Sequence, residues 1–293
     1  MEVDVTENKP KQILVGTDGS PDAQRALLYA GRVALQSGHE NARVRIVHAV
    51  DEAVLAGTWG VMYDLSGLEE AGNEILHAAM KIVQEAGVPA DRIDAEVRLG
   101  RPAQVLVEAS GDADLAVTGR RARSSIERLF VGSTSVALAA SSHCPVIVLG
   151  QDQPSPTPPG AGVLVGVDPS GLSEQAIAFG HDWATRAEWG LTLLHVNRSQ
   201  PSWLLGSMPS KEQSAAQSDA SRGGVAALAE RVGAQQAKIE VVQGDPADEL
   251  IGRSADYGLL VLGAHRGNPN LVGGVIRGVL THARCPVAVL PQG

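Results

Sequence analysis

The sequence predicts two tandem α/β domains, each a doubly wound, five-stranded parallel sheet of the Rossmann-like class. Short aliphatic runs alternate with longer stretches of helical periodicity, as in parallel sheets that helices cover on both faces. This alternation occurs twice along the chain of 293 residues, which is long enough to form two hydrophobic cores. A proline-rich segment separates the two occurrences.

The first copy shows the expected elements in order. Apolar residues recur at helical spacing between Pro21 and Gln36 and again between Leu68 and Ala86. Pro102 opens a short helix, because proline is tolerated in the first helical turn. The remaining elements are strands at 13–16, 44–50, 97–99, 114–117 and 146–149 and a small-residue helix from Ser133 to Ser142. In such sheets ligands bind beyond the carboxyl ends of the strands.

The second half of the chain repeats the first. Five segments recur in the same order, in the pairs 13–20 and 163–170, 44–50 and 191–197, 97–103 and 241–247, 115–119 and 259–263, and 143–149 and 284–290. A match of this extent indicates duplication of a whole domain. Residues 151–160 include four prolines and therefore form neither a helix nor a strand ladder. We expect domains at 1–150 and 161–293, joined by this linker.

Composition argues against several classes of protein. The net charge of −9 disfavours nucleic acid or an anionic membrane as the main partner. No apolar run approaches the ~18 residues of a membrane span, and the acidic start is unlike a signal peptide. The two cysteines, Cys144 and Cys285, are too few for a metal cluster and suit a reducing cytoplasm, where we expect the protein to act. Both are expected to be buried small hydrophobes.

The most informative segment runs from Thr118 to Ser133. A strand leads into Gly119 and a basic loop, and Gly132-Ser133 then opens a helix. The helix start offers unpaired backbone N–H groups and the positive end of the helix dipole, and glycine lets a phosphate approach the backbone. Four arginines lie in this loop of an otherwise acidic chain, Arg120, Arg121, Arg123 and Arg128. Guanidinium groups suit phosphate oxygens, so the segment predicts a nucleotide site.

The repeated segments resemble the universal stress protein family in its tandem-domain form, over about residues 10–150 and 161–291. The Val-Gly-x-Asp-x-Ser opening, the second strand ending in His-Ala-Val and the terminal His-Cys-Pro-Val-Ile-Val carry the resemblance. The ATP-binding branch of the family has Gly, two residues, Gly, nine residues and Gly-Ser. This chain has Gly119, Ala122 and Gly132-Ser133 at those positions. The alanine departs from the pattern and costs roughly 1 kcal/mol if its position needs a positive φ.

The resemblance implies ATP as the ligand, with or without Mg²⁺, and assigns its contacts. Adenine contacts are implied at Asp18, with its neighbours Gly16 and Thr17, and at the backbone of Ala49. Phosphate and ribose contacts are implied at Gly119, Arg120, Arg121, Ala122, Gly132, Ser133, Thr134 and Ser135. In the second copy, the loop from Gly263 to Gly273 is three residues shorter and Gly274 replaces the serine. We expect weak or absent nucleotide binding there.

Structural alternatives stand beside these assignments. Asp18 could cap the helix that begins near Pro21, and Gly119 could simply end a strand. Arginines in loops are usually solvated. His48 and His195 occupy matching positions in apolar strands, so we expect both to be strand-end core residues rather than catalytic bases.

Three functions are compatible with these residues. The first is an ATP-binding regulator of stress response or dormancy, with the nucleotide as ligand rather than fuel. The alternative is a nucleotide-free protein-interaction module of the same fold, and a third, an adenine-nucleotide hydrolase or synthetase, rests on fold analogy. We expect at most slow ATP hydrolysis, because the chain has neither a Walker A Gly-Lys-Ser/Thr sequence nor a recognisable nucleophile–base pair. The apolar last strands of the two copies could pair with each other. The sequence is also compatible with a homodimer, and it does not identify the regulatory protein partner.

Overall fold

The computed structural model describes residues 10–51, 65–120, 131–150, 161–169, 173–198, 211–264 and 273–291. These residues form two compact units, one on each side of the proline-rich segment. Two of the implied contact residues, Arg121 and Ala122, lie outside the described residues. None of the helices in the described ranges has the length and apolar character that a membrane crossing requires.

The first unit, as far as it is described, is a five-stranded parallel sheet with a helix between each pair of successive strands. Its elements are β1 Gln12–Gly16, α1 Pro21–Gln36, β2 Arg43–Val50, α2 Leu65–Glu85, β3 Ile93–Leu99, α3 Pro102–Ala109, β4 Leu115–Gly119, α4 Ser133–Ser141 and β5 Val146–Leu149. The strand order is β3-β2-β1-β4-β5, and all neighbouring strands are parallel. The order reverses between β1 and β4, which places a ligand crevice at their carboxyl ends.

The second unit repeats this topology within its described residues. Its elements are β6 Gly162–Gly166, α5 Glu174–Ala187, β7 Leu191–Arg198, α6 Lys211–Arg231, β8 Lys238–Gly244, α7 Pro246–Arg253, β9 Tyr257–Gly263, α8 Gly274–His282 and β10 Val287–Leu290. The strand order is β8-β7-β6-β9-β10, again with parallel neighbours. The predicted fold class, two doubly wound parallel sheets in tandem, is confirmed.

The centre of the first sheet is apolar on both faces. Ile13, Leu14 and Val15 of β1 are at most 1% exposed, because helices cover consecutive side chains that point in opposite directions. Helix α1 covers one face with the stripe that the periodicity predicted, which includes Ala26, Leu27, Ala30, Val33 and Ala34. This burial holds β1 in place within the sheet and so positions the residues at its carboxyl end.

The first helix starts differently in the two units. Helix α1 begins one residue after Ser20, whose Oγ caps it by accepting the N–H of Ala23 at 3.2 Å. Gly19 turns the chain just before this cap with a φ of +76°. The matching residue of the second copy is Pro169, whose ring fixes a negative φ. Helix α5 accordingly begins later, at Glu174, and no side chain caps it.

The two cysteines are buried, as predicted, at 4% and 2% exposure for Cys144 and Cys285. Burial raises the pKa of each thiol to about 12. Since the thiolate is the reactive form, we expect neither thiol to react with Ellman's reagent at pH 8 in the folded protein. Unfolding in urea should release two equivalents. Rapid stoichiometric labelling without denaturant would contradict this prediction.

Candidate functional site

A cavity of about 360 Å³ opens at the carboxyl ends of β1, β2 and β4 in the first unit. Small-molecule sites in proteins typically measure ~300–1,000 Å³. Its described lining residues are Gly16, Thr17, Asp18, Ser20, Ala23, Val47, Ala49, Pro102, Leu106, Thr118, Gly119, Val131, Gly132, Ser133, Thr134 and Ser135. Nine of the twelve contact residues implied by the sequence are in this set. Of the other three, Arg120 is described and does not line the cavity.

The start of α4 forms one wall of the cavity. The first backbone bond of this helix runs from the N–H of Val136 to the carbonyl of Gly132 at 3.1 Å. The amides of Ser133, Thr134 and Ser135 therefore have no partner within the helix. Gly132 occupies the N-cap and provides no side-chain cap. Three amide donors at the positive end of a helix dipole can bind an anion.

Two contacts hold the beginning of α4 against the end of β4. The N–H of Gly132 donates to the carbonyl of Arg120 at 2.8 Å, which closes the intervening loop at its base. The hydroxyl of Ser135 donates to the carbonyl of Gly119, also at 2.8 Å. Ser135 is 2% exposed and its one hydroxyl proton is used in this bond. The hydroxyls of exposed Ser133 and half-buried Thr134 lie closer to solvent.

Asp18 lies on the turn between β1 and α1, at the opposite wall. Its Oδ1 accepts the N–H of Ser20 at 3.0 Å, and its side chain is half-buried. The helix cap itself is Ser20. Asp18 therefore does not cap α1, because Ser20 does. Asp18 instead lines the cavity. It is the one ionisable side chain among the described lining residues.

Packing requires a glycine at position 119 and favours one at position 16. A Cβ at Gly119 would lie 2.7 Å from the backbone of Asp22 in α1, and a Cβ at Gly16 would clash with Leu106 in α3. Both glycines also line the cavity. The structural interpretation of Gly119, a strand end that packs closely, is therefore compatible with the ligand interpretation.

Arg120 points away from the predicted phosphate position. Its guanidinium packs against Gly150, where an added Cβ would lie 2.8 Å from the Arg120 Cζ. The other three arginines of this loop, Arg121, Arg123 and Arg128, lie outside the described residues.

Helix α3 supplies an apolar wall that the sequence reasoning missed. Pro102 and Leu106 line the cavity opposite Val47 and the backbone of Ala49. The signal was present, because the segment 97–103 that leads into α3 recurs in the second copy. The pattern did not show which face of the short helix turns toward the site. The other lining residues that were missed are Ser20, Ala23, Val47, Thr118 and Val131.

Comparison with known proteins decides the family. The sequence model described as "Universal stress protein family" matches the chain twice, at residues 9–150 and 162–291. The chain belongs to the universal stress protein family.

Relatives of this universal stress protein agree with that assignment. A universal stress protein of Mycobacterium tuberculosis is 33% identical over 97% of this chain and 99% of its own length. The crystal structure of a universal stress protein from Archaeoglobus fulgidus, 19% identical, has a TM-score of 0.71 and shows the same fold over 97% of this chain and 99% of its own. A universal stress protein crystallised in complex with cAMP is 25% identical over 48% of this chain and 97% of its own, with a TM-score of 0.39. The bound cAMP is a property of that protein.

The second unit of this universal stress protein lacks the hydroxyls of the polar helix start, although the first three amides of α8 are equally without a helical partner, since its first backbone bond runs from the N–H of Arg277 to the carbonyl of Gly273 at 3.0 Å. Helix α8 begins with Gly274, Val275 and Ile276 where α4 has three hydroxyl residues. Ile276 is 8% exposed and occupies the position of Ser135, so no hydroxyl can tie the helix to the end of β9 as Ser135 ties α4 to β4.

Proposed function

We propose that the first unit of this universal stress protein binds an adenine nucleotide, ATP, and that the bound nucleotide regulates a stress-response or dormancy function. The observation that carries the proposal is the start of α4, where three residues whose amides have no helical partner line a cavity of nucleotide-site size. The N–H groups at a helix start commonly bind phosphate. They are neutral, so they bind the anion without the desolvation cost that burying a cationic side chain would carry.

The phosphate tail would lie on the amides of Ser133 and Thr134, with their hydroxyls as further donors. Arginines of the loop 121–130 would supply the positive charge that the described lining residues lack. No cluster of three or more His, Cys, Asp or Glu side chains able to hold a metal ion occurs among the described residues. Any Mg²⁺ would therefore arrive with the phosphates and be held largely by their oxygens.

The base would lie between the apolar wall of α3 and the end of β2. The backbone at Ala49 offers polar groups, and the carboxylate of Asp18 accepts a hydrogen bond from an exocyclic amine. Adenine carries such an amine, while guanine carries a carbonyl at the corresponding position. This chemistry supports adenine over guanine.

The nucleotide is proposed as a ligand rather than a substrate. Asp18 is the one ionisable side chain among the described lining residues, and it is assigned to the base, far along the ligand from the phosphates. A water attacking the terminal phosphate would then lack a general base from these residues. Slow turnover is the most that this arrangement supports.

Nucleotide binding by the second unit is proposed to be weak or absent. Its helix α8 begins with glycine and two aliphatic residues, and its loop is three residues shorter than that of the first unit. We further propose a cytoplasmic location, where ATP is available and the free, buried cysteines remain reduced.

Isothermal titration of the full chain with ATP tests the proposal. We expect one nucleotide to bind per chain, because one of the two units has the polar helix start. At protein concentrations of about 100 µM, a site with a dissociation constant of ~10 µM gives a clear signal. Absence of heat and of any copurifying nucleotide would favour the alternative, a nucleotide-free interaction module. Two equivalent sites would contradict the assignment of the second unit.

A further inference from the structure

We infer that His48 is a positioning residue of the nucleotide site, acting on the base through Asp18. This inference rests on the proposed function. Its basis is the short distance of 2.9 Å between the Nδ1 atom of His48 and the carbonyl oxygen of Thr17. Thr17 directly precedes Asp18 and itself lines the cavity.

The contact fixes where the proton of the imidazole lies. A carbonyl oxygen only accepts, so the Nδ1 atom of His48 carries the hydrogen and donates it. The N–H of Thr17 donates in turn to the carbonyl of Val47 at 3.0 Å. Consecutive residues of β2 thus bind both the N–H and the carbonyl of Thr17. These two hydrogen bonds restrict the orientation of the backbone where it leaves β1.

This direction determines where the Asp18 carboxylate lies. On its far side the turn is held by the Ser20 cap of α1, and on its near side by His48. Within the turn, Gly19 has a positive φ and adds no side chain that would restrain the backbone. Removing the Nδ1 donor leaves the near end of the turn less restrained. Ligand binding must then order the turn, and that ordering reduces affinity.

His48 acts at a distance from the ligand. A Cβ at Gly72 in α2 would lie 3.3 Å from its Cδ2, which places the ring on the α2 side of the sheet. Its neighbours Val47 and Ala49 point to the other side and line the cavity. The hydrogen bond to Thr17 is the contact by which His48 acts on the turn from Thr17 to Asp18.

The second unit contains the same hydrogen bond and provides the control. The Nδ1 of His195 lies 2.8 Å from the carbonyl of Val167, whose N–H donates to Leu194 at 2.9 Å. The tie is thus part of the fold of both units. In the first unit it also holds the turn that carries a cavity-lining carboxylate.

Titration of three full-length variants with ATP tests the inference. His48→Leu removes the donor, and we expect the dissociation constant to rise roughly three- to tenfold. His48→Asn keeps an amide nitrogen at the same number of bonds from Cα as Nδ1, and we expect affinity within about twofold of wild type. His195→Leu, which also removes a contact of 3.0 Å between Nε2 and the Oδ1 of Asn197, should lose at least as much stability to urea but keep the wild-type affinity. Should His48→Leu not fold, His48→Gln replaces it, because its amide nitrogen lies one bond too far out.

A double-mutant cycle shows whether His48 acts through Asp18. We expect His48→Leu to weaken binding by less than about twofold when Asp18→Ala is already present, because the residue it positions is gone. Full additivity of the two losses would overturn the inference, as would wild-type affinity in the His48→Leu protein. If the wild-type chain binds no ATP, the proposed function fails first, and this inference falls with it.

Discussion

Replacing Ser133 with proline is expected to weaken ATP binding roughly ten- to a hundredfold while α4 stays folded, since a hydrogen bond to a charged group contributes about 1.5–3 kcal/mol. Ser133 is the first residue of α4, where proline is favoured and its missing N–H breaks no helical bond. The preceding Gly132 has φ −61° and ψ 146°, the extended conformation that a residue before proline prefers. The substitution therefore removes the amide donor of residue 133 together with the serine hydroxyl and leaves the helix intact.

Two variants separate the amide from other effects of this change. Ser133→Ala removes the hydroxyl and keeps the amide, so we expect a loss of only about two- to threefold. Gly274→Pro makes the same backbone change at the first residue of α8, after Gly273 with φ −53° and ψ 149°, and should leave ATP affinity unchanged. Circular dichroism checks that both helices persist. If Ser133→Pro binds ATP as tightly as Ser133→Ala, the amides of α4 do not hold the phosphates.

The substitution Asp18→Asn is expected to lower the preference for ATP over GTP by at least about tenfold, through the loss of a charged acceptor for the adenine amine. Asparagine keeps one oxygen for the N–H of Ser20, which Asp18 binds at 3.0 Å, so the turn is preserved. Its amide donates where the carboxylate accepted. The guanine carbonyl can then accept a hydrogen bond from this amide, whereas the adenine amine, itself a donor, is placed against another donor.

Competition titrations with ATP and GTP measure this preference, and Asp168→Asn in the second unit serves as the matched control. Asp168 follows β6 as Asp18 follows β1, but the second unit lacks the polar helix start. We expect the control to bind both nucleotides like the wild type. An unchanged ratio of ATP to GTP affinity in Asp18→Asn would show that the base does not contact Asp18.

The fold could be predicted because local periodicity and tertiary packing agree. The predicted helix from Pro21 to Gln36 has the same bounds as α1, where Ser20 caps the helix and Pro21 occupies its first turn. The second helix begins at Leu65 rather than Leu68, since hydrophobic periodicity alone does not locate the first turn of a helix. In the second copy Pro169 stands at the position of Gly19, and the first helix begins only at Glu174.

The location of the candidate site also followed from the sequence, while the roles within it did not. Glycine spacing identified Gly119, Gly132 and the α4 start, because backbone access depends on local residues. Ser133, Thr134 and Ser135 look alike in sequence, and only the tertiary contact with Gly119 shows that the hydroxyl of Ser135 is used internally. Side-chain direction depends on neighbours distant along the chain.

Arg120 and His48 illustrate the same limit. The arginine is one of four in the loop, and only the structure shows that its guanidinium packs against Gly150, just after β5. The histidine was correctly expected to be a strand-end residue, but its hydrogen bond to Thr17 depends on the pairing of β1 with β2. Pairing register cannot be obtained from composition or spacing within one strand.

Pro169 bears on any attempt to build a second copy of the proposed nucleotide site into this chain. Introducing serines at the start of α8 and lengthening the loop before it would reproduce only the proposed phosphate-binding part of the site. The pyrrolidine ring would still forbid the left-handed turn that Gly19 makes in the first unit, so the acceptor for the base would stay misplaced. A working graft must exchange this proline for glycine as well, together with the residues that would allow α5 to gain an additional turn at its start.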